Sequence, residues 1–422
     1  MSNGDSGSPI ERLLSGKIER LVEQSPIRVR MGDKELGRRD GAGGCGIVVR
    51  DRGTLARMAL DPEIGFGDGY IEGRIEVEGD LVHFLEEATR LMQSDRARSW
   101  YNRLFKQWLR FAQANTRGGS AKNIHHHYDL SNDFYKLWLD RRMVYTCAYF
   151  PAPSATLEEA QEAKLELVCR KLQLQPGENV VEAGCGWGSL ALHMAKHYGV
   201  TVRAFNISRE QIEFARTQAK MEGLAGQVEF IEDDYRNIAG RFDAFVSVGM
   251  LEHVGHENYR ELAGVIRNAI GDAGRGLLHF IGRNRPQPFS AWIRKHIFPG
   301  AYAPTLREAL EICERNNYAV VDVENLRLHY AKTLEHWLER YERAVDRVTE
   351  MFGPEFVRMW RLYLAGSIAG FRVGTLQLFQ VVFAGAERRE IPWTRAHLYT
   401  REGAWADAGE AGLESEWSPA RY

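Results

Sequence analysis

The sequence predicts an α/β fold: a larger domain with a parallel sheet and a helical insertion, preceded by a small α+β domain. Two observations in residues 123–386 predict the larger domain. Apolar strand segments alternate with helix-periodic segments, and a glycine-rich turn follows the first strand segment. Such alternation is typical of parallel sheets with right-handed crossover connections.

Periodicity and turn residues place the elements of this domain. We predict strands near residues 179–183, 201–206, 227–232, 242–248 and 275–282, with two more near 319–327 and 376–384. We predict helices near residues 189–198, 208–222 and 257–269. The block 333–372 keeps helical spacing but is too long for a simple crossover, so we expect an insertion that covers the site.

The N-terminal domain is predicted from shorter patterns. Residues 27–92 indicate short strands and turns followed by one helix, Val82–Met92. An amphipathic helix near residues 10–22 packs on its own domain or lies on a membrane, and we favour the first. We place the domains at residues 1–114 and 123–386, joined by a linker at 115–122 and followed by a loose tail at 387–422.

Composition narrows the class of protein. With 422 residues, 44% of them hydrophobic and 27% charged, the chain is typical of a soluble globular protein of two or three domains. A net charge of -2 argues against a nucleic-acid partner. No apolar run approaches the roughly 20 residues of a membrane span, and no signal peptide is evident.

Cysteine and histidine usage argues against a metal. The five cysteines contain no C-x-x-C pair, which indicates a reducing cytoplasm and no structural zinc. The triple His125-His126-His127 lacks acids at a recognisable ligand spacing. We therefore expect no metal site.

The most informative motif is the turn after the first predicted strand. Glu182 ends the strand, and Gly184, Gly186 and Gly188 alternate through the turn before a helix begins. Glycines permit close approach of backbone to a ligand, and a helix N-terminus favours a carboxylate. The spacing looks like the S-adenosylmethionine (SAM) loop of a Rossmann-like class I methyltransferase. The alternative is a turn with no ligand.

Nearby polar residues extend this prediction. The second strand ends in Asn206, where a dinucleotide site would have an acid, and Gln211 begins the next helix on the ligand side. We expect Glu182 to meet the ammonium group or a ribose hydroxyl of SAM. Asp234, beside Tyr235 after the third strand, could accept from adenine, unless this is only a solvated acidic turn.

Two residues at later strand ends are candidates for acid–base chemistry. Glu252 follows the fourth strand and His279 lies near the end of the fifth, where open α/β sheets bind ligands. Together they could share a proton or hold an anion. Each also has a structural explanation: Glu252 could cap a helix, and His279 could be a satisfied core histidine.

The segment Trp100–Phe111 combines aromatic and basic residues at helical spacing. A basic helix with an aromatic apolar face can lie in a membrane interface. An interdomain helix that buries its aromatic residues explains the pattern equally well.

Several motifs together resemble the cyclopropane-fatty-acyl-phospholipid synthases and their mycolic-acid relatives. The matching runs are His127–Tyr135, Tyr145–Phe150, Glu182–Gly188, Ser247–Gly255, Leu278–Gly282 and Ile297–Gly300, with Gly67–Gly73 in the N-terminal domain. The resemblance spans about residues 30–386. It implies methylene transfer from SAM to a cis double bond of a phospholipid acyl chain, through a carbocation that a bound bicarbonate deprotonates.

The resemblance also implies roles for individual residues. It assigns bicarbonate binding to Cys147, Glu252, His279, Ile281 through its backbone, and Tyr330. It assigns SAM contacts to Tyr145, Thr146, Gly184, Gly186 and Gln211, with Tyr128 and Tyr149 flanking the pocket. Cys147 is then pocket lining rather than a nucleophile, since alkylation by a sulfonium needs no covalent enzyme intermediate.

The chain departs from the family pattern at a few positions. Glu182-Ala183 replaces a common Asp-Ile, and Asn206 replaces a frequent Thr; both changes are conservative. Arg283 replaces a small polar residue beyond the proposed base, which puts the substrate or product in doubt.

We predict a cytoplasmic, homodimeric enzyme that associates peripherally with the inner face of the membrane and cyclopropanates unsaturated phospholipid. One alternative is a methyltransferase on the same scaffold that leaves a methyl-branched or methyl-alkene chain. Another is a lipid-binding module without catalysis. The intact glycine turn, Glu252, His279 and Tyr330 argue against the second.

Overall fold

The structure of the protein, a computed structural model, describes Gly16 and residues 25–32, 34–36, 44–93 and 130–399. Several predicted features lie outside these residues: most of the helix near residues 10–22, the segment Trp100–Phe111, the linker, and the run His125–Tyr128.

The N-terminal domain is the predicted small α+β unit. Its four-stranded sheet has the order β2-β1-β3-β4, with β1 parallel to β3 and the other pairs antiparallel. Its elements are β1 (Arg28–Met31), β2 (Lys34–Leu36), β3 (Gly46–Val49), α1 (Arg52–Leu60), α2 (Pro62–Ile71), β4 (Ile75–Glu78) and α3 (Leu81–Gln93).

Helices α1 and α2 were not predicted. In α2, three glycines lower the helix propensity. These glycines serve close packing. A Cβ at Gly67 would lie 2.2 Å from Cδ1 of Trp292, and one at Gly65 would lie 2.5 Å from the backbone nitrogen of Met58. Tertiary contacts therefore stabilise a helix that its local sequence disfavours.

The larger domain is built on a seven-stranded sheet with the order β10-β11-β9-β8-β5-β6-β7. Its strands are β5 (Asn179–Ala183), β6 (Thr201–Asn206), β7 (Val228–Glu232), β8 (Ala244–Val248), β9 (Arg275–Gly282), β10 (Ala319–Asn325) and β11 (Gln377–Ala384). The predicted strand positions are confirmed within two residues.

The helices of this domain follow the predicted alternation. They are α4 (Asn132–Lys136), α5 (Leu157–Leu172), α6 (Ser189–Tyr198), α7 (Arg209–Met221), α8 (Leu251–Val254), α9 (Tyr259–Ile270), α10 (Ala291–His296), α11 (Leu306–Glu314), α12 (Arg327–Arg343), α13 (Val345–Phe352), α14 (Pro354–Val373) and α15 (Ala396–Tyr399). The predicted helical insertion corresponds to α12, α13 and α14.

The prediction of a parallel sheet is wrong at one edge. Strands β5 to β9 pair in parallel, but β11 runs antiparallel to both β9 and β10. The chain leaves β10 at its carboxyl end, where the backbone N–H of Leu326 donates to the carbonyl of Leu378 (2.8 Å). It returns through α14 to the same end, so β11 must run in the opposite direction.

Part of the tail is packed rather than loose. Leu398 in α15 is buried, and its carbonyl accepts a hydrogen bond from Nη1 of Arg170 on α5 at 3.0 Å. Among the helices that the structure describes, none combines the length and apolar character needed to cross a membrane.

Candidate active site

A cavity opens at the carboxyl edge of β5, β6 and β8. It brings together seven residues that the sequence assigned to the cofactor: Tyr145, Thr146, Glu182, Gly184, Gly186, Asn206 and Gln211. Lys164, Trp187, Met250 and His253 also line it. The cavity lies where open α/β sheets bind ligands.

The three glycines of the turn have different roles. All have positive φ: +83° at Gly184, +52° at Gly186 and +86° at Gly188. A Cβ at Gly186 would meet no atom within 4 Å, so its hydrogen leaves room for a ligand. A Cβ at Gly188 would lie 2.6 Å from Cζ of Phe230, and Gly188 is not among the cavity residues. Gly188 therefore serves packing at the start of α6.

Asn206 connects the parts of the cavity lining that β6, α7 and the glycine turn contribute. Its side-chain N–H donates to Oε1 of Gln211 at 2.7 Å and to the carbonyl of Gly186 at 3.3 Å. These bonds connect the glycine turn, the end of β6 and the start of α7. The asparagine thus holds the turn in a fixed position.

Glu182 is a buried carboxyl group at the floor of the cavity. Burial raises its pKa to about 8, against the opposing effect of the Lys164 charge. Its Oε2 finds no hydrogen-bond partner in the part of the chain that the structure describes. An ammonium or hydroxyl group of SAM would satisfy this oxygen, so the cavity fits the cofactor that the turn predicts.

Lys164 was not predicted. It is 2% exposed, its Nζ donates to Oγ1 of Thr146 at 2.9 Å, and burial lowers its pKa to about 8. The sequence pattern could have indicated this residue, because Lys164 shares one buried face of α5 with Leu157, Ala160 and Val168. A lysine in such a stripe indicates a buried charge with a local partner.

The predicted adenine contacts are not at the cavity. Asp234 caps a short helical turn, Tyr235–Asn237, and its Oδ2 accepts from Nη1 of Arg236 at 3.0 Å. Tyr235 is buried, and the Arg236 guanidinium lies 4.8 Å from its ring centre. Neither Asp234 nor Tyr235 lines the cavity. Asp234 is partly exposed, and its contact with adenine stays a prediction.

Glu252 and Ile281 meet beside this cavity. Oε1 of Glu252 accepts a hydrogen bond from the backbone N–H of Ile281, which joins α8 to the end of β9. Glu252 is 4% exposed, and burial raises its pKa to about 7. Its Oε2 has no hydrogen-bond partner among the described residues. The residue at the N-cap of α9 is Asn258, so Glu252 does not cap that helix.

His279 lies two residues before Ile281 on β9, so the two side chains point to the same face of the sheet. Its ring Nδ1 is 3.0 Å from Nε2 of Gln380 on β11, which fixes the ring. Its Nε2 is buried and, within the described chain, unpartnered. Burial lowers the pKa of His279 well below its usual value, so the ring is neutral. One hydrogen-bonding position is thus left for a ligand.

Cys147 and Tyr330 belong to the aromatic cluster that the insertion forms. The Cys147 thiol donates to the carbonyl of Ala148 at 3.1 Å, and burial raises its pKa well above the usual range, so it stays protonated. The Tyr330 ring packs 4.7 Å from Phe371 and 5.9 Å from Trp337. Neither residue lines the cofactor cavity.

Aromatic rings pack against one side of the cavity. The Tyr145 ring lies 5.2 to 5.5 Å from the rings of Trp337, Trp138 and Tyr135. Its hydroxyl is 2.8 Å from the hydroxyl of Tyr363 on α14. The insertion therefore packs against Tyr145, which lines the cavity, and that it covers the site stays a prediction.

These features define a class I SAM-dependent methyltransferase: a glycine turn after β5, a carboxylate at the strand end, and a sheet with one antiparallel strand, β11. The sequence matches the family described as mycolic acid cyclopropane synthetase over residues 115–381.

Individual relatives agree with this match. The chain is 35% identical to a probable fatty acid methyltransferase of Pseudomonas putida, over 84% of this chain and 91% of that protein. It is 35% identical to the cyclopropane-fatty-acyl-phospholipid synthase of Escherichia coli K12, over 82% of this chain and 89% of that protein. The structure of mycolic acid cyclopropane synthase CmaA1, complexed with SAH and CTAB, is 30% identical, with a TM-score of 0.60 over 62% of this chain and 97% of that one. The protein belongs to the mycolic acid cyclopropane synthetase family.

Proposed function

We propose that this enzyme transfers a methylene group from SAM to the cis double bond of a phospholipid acyl chain and forms a cyclopropane. One observation carries the proposal. A buried carboxylate oxygen of Glu252 and a buried ring nitrogen of His279 lack partners among the described residues. Both residues adjoin the cavity lining, because Glu252 precedes His253 and His279 pairs with Val248. An ordinary methyl transfer to oxygen or nitrogen needs no such anion pocket.

The reaction needs a dry site that tolerates positive charge. SAM supplies a sulfonium methyl group, and the alkene is a weak nucleophile that needs close alignment to it. Methyl addition leaves a carbocation on the acyl chain. The Tyr145 ring lines the cavity and the rings of Trp138 and Trp337 pack against it, so one wall of the site is aromatic and suits such a charge.

Ring closure needs a base for the proton that leaves the added methyl group. The unpartnered atoms of Glu252 and His279 fit bicarbonate, a small anion that both accepts and donates hydrogen bonds. When bound, bicarbonate supplies that base. Glu252 and the Ile281 backbone hold the hydrogen-bonding network in place, and the neutral His279 ring offers one further hydrogen bond. The Cys147 thiol, protonated at neutral pH, cannot replace the base.

The product of the reaction tests this proposal. We expect expression in a bacterial host that lacks such an enzyme to yield lipids heavier by one CH₂, with cyclopropane ring protons in the NMR spectrum. Resistance to hydrogenation separates this product from a methyl-alkene of equal mass. Vector alone and the Glu252→Gln variant are the controls. Unmodified lipids from soluble, SAM-binding protein would contradict the proposal and favour a non-catalytic lipid-binding module.

A methyl-alkene is the second candidate, formed when the carbocation loses a proton from a neighbouring carbon of the acyl chain instead of from the added methyl group. The Pseudomonas putida relative is named a probable fatty acid methyltransferase, and Arg283 sits one residue beyond the end of β9. Arg283 is buried with its guanidinium 5.2 Å from the Phe289 ring centre, and burial lowers its pKa to about 10. We infer that this charge, in place of a small polar residue, changes which carbon of the carbocation loses its proton. A hydrogenatable product in the same experiment would favour this candidate.

We further propose that the enzyme works as a homodimer on the membrane surface, and that the N-terminal domain and the segment Trp100–Phe111 present the lipid. The sequence pattern of that segment supports binding to a membrane surface, since aromatic and basic residues together suit an anionic interface.

Liposome binding tests the segment. We expect the double variant Trp100→Ala/Trp108→Ala to bind anionic liposomes at least about tenfold more weakly, since each buried aromatic ring contributes over 1 kcal/mol. Sedimentation with liposomes measures this. Trp393→Ala is the matched control, because Trp393 is fully exposed outside the segment. Unchanged binding in a folded double variant would assign the segment to an interdomain helix.

A further inference from the structure

A cluster of two histidines and two glutamates lies on the adjacent helices α5 and α6, outside the cofactor cavity. Glu162 and Glu166 are one turn apart on α5, and His193 and His197 are one turn apart on α6. Residues at i and i+4 share one helix face, so each helix presents a pair of ligating groups to the other. One ligating atom each from Glu162, His193 and His197 lies within 4.8 Å of the others.

His193 has the surroundings of a metal ligand. Its side chain is 2% exposed, and its Nδ1 lies 3.3 Å from Oε1 of Glu162 without a hydrogen bond to any described residue. Its Nε2 lies 3.3 Å from Oε2 of Glu166. Metal-ligating histidines usually donate their second ring N–H to a carboxylate, which fixes the tautomer and directs the other nitrogen at the metal.

Arginines orient both carboxylates. Arg170 Nε donates to Oε1 of Glu166 at 2.9 Å, and Arg142 Nη2 lies 3.2 Å from Oε2 of Glu162. The second oxygen of each carboxylate is thereby left for His193. With a proton on Nε2 alone, His193 would place a nitrogen lone pair against the Glu162 carboxylate, which is repulsive. Either a second proton on Nδ1 or a metal ion relieves that contact.

We propose that Glu162, His193 and His197 bind a divalent transition metal, best matched by Zn²⁺, with Glu166 as the supporting carboxylate. Two imidazoles and one carboxylate are a zinc donor set, with ligand distances of about 2.0–2.2 Å. The three ligating atoms already lie within 4.8 Å of one another. His197 is exposed, which gives the metal an entry path and leaves a fourth position for water.

The metal would connect the two helices that frame the cofactor cavity. Helix α5 carries Lys164 and Leu165, which line that cavity, and α6 begins directly after the glycine turn. Binding there would stabilise the folded enzyme in proportion to the metal concentration. The site is structural, because none of its ligands lines the cavity.

Calorimetric titration of chelator-treated protein with Zn²⁺ tests this proposal. We expect His197→Ala and Glu162→Gln to weaken Zn²⁺ binding by at least about tenfold, with similar losses of the Zn²⁺-dependent rise in Tm. We expect Glu166→Gln to weaken it by about 10- to 100-fold, because an amide N–H there would favour the wrong His193 tautomer. Both His197 and Glu162 are at least partly exposed, so these variants should fold.

A triple variant, His125→Ala/His126→Ala/His127→Ala, controls for the other histidine cluster of the chain, and its Zn²⁺ affinity should match the unmodified protein. Loss of binding only in this triple variant would overturn the proposal. So would equal Zn²⁺ binding in the unmodified protein and the cluster variants. In either case, a protonated His193 would supply the charge between Glu162 and Glu166.

Discussion

Glu252→Gln is expected to reduce turnover by about 10²- to 10⁴-fold while SAM affinity stays within a few-fold of the unmodified enzyme. An amide oxygen can still accept from the Ile281 N–H, so the local structure is kept. The variant has an amide NH₂ group where Oε2 of Glu252 would accept from the bicarbonate hydroxyl, and it lacks the negative charge that opposes the developing carbocation. Methyl transfer from labelled SAM to unsaturated phospholipid vesicles measures turnover, and calorimetry measures SAM binding.

The pH dependence of the same variant provides a second check. Burial raises the pKa of Glu252 to about 7, so the charged form is lost as the pH falls through that value. We expect kcat/KM of the unmodified enzyme to decline below about pH 7, and that decline to be absent in Glu252→Gln. Glu257→Gln, a change in the next turn of the chain, should retain both turnover and pH profile. Near-normal turnover of Glu252→Gln would rule out the anion site.

Substitutions at two glycines of the cofactor turn are expected to impair different properties, SAM binding at Gly186 and folding stability at Gly188. We expect Gly186→Ala to remain folded, at a cost of about 1–2 kcal/mol for its positive φ, but to bind SAM at least about tenfold more weakly. Its Cβ would enter the open space that a ligand needs. We expect Gly188→Ala to lower the free energy of unfolding by about 2–5 kcal/mol, since strain and the Phe230 contact both act there.

Chemical denaturation and SAM titration on both variants separate these effects. Gly177→Ala is a matched control for backbone strain, since Gly177 also has positive φ, at +85°, with nothing near its Cβ and no place in the cavity. It should lose stability but retain SAM affinity. If Gly186→Ala bound SAM normally, the close approach of the cofactor to this backbone would be disproved.

The glycine turn and the strand ends could be predicted from the sequence because their signals are local. Apolar segments that alternate with helix-periodic segments predicted the strands of the sheet. Glu182, Asn206 and Gln211 line the cavity because strand ends in such a sheet meet at one edge. Asp234 follows a strand in the same way, but its ion pair with Arg236 could not be predicted from the strand pattern. Local sequence places a residue at an edge but does not choose its partner.

The sequence by itself determined the fold class, the cofactor turn, and the two strand ends that carry Glu252 and His279. Only the tertiary structure decided the direction of β11, the buried pairing of Lys164 with Thr146, and the roles of the individual glycines. The physical reason is the range of the interactions. Backbone propensity and periodicity act over a few residues, whereas burial, unpartnered polar atoms and steric contacts depend on segments far apart in the chain.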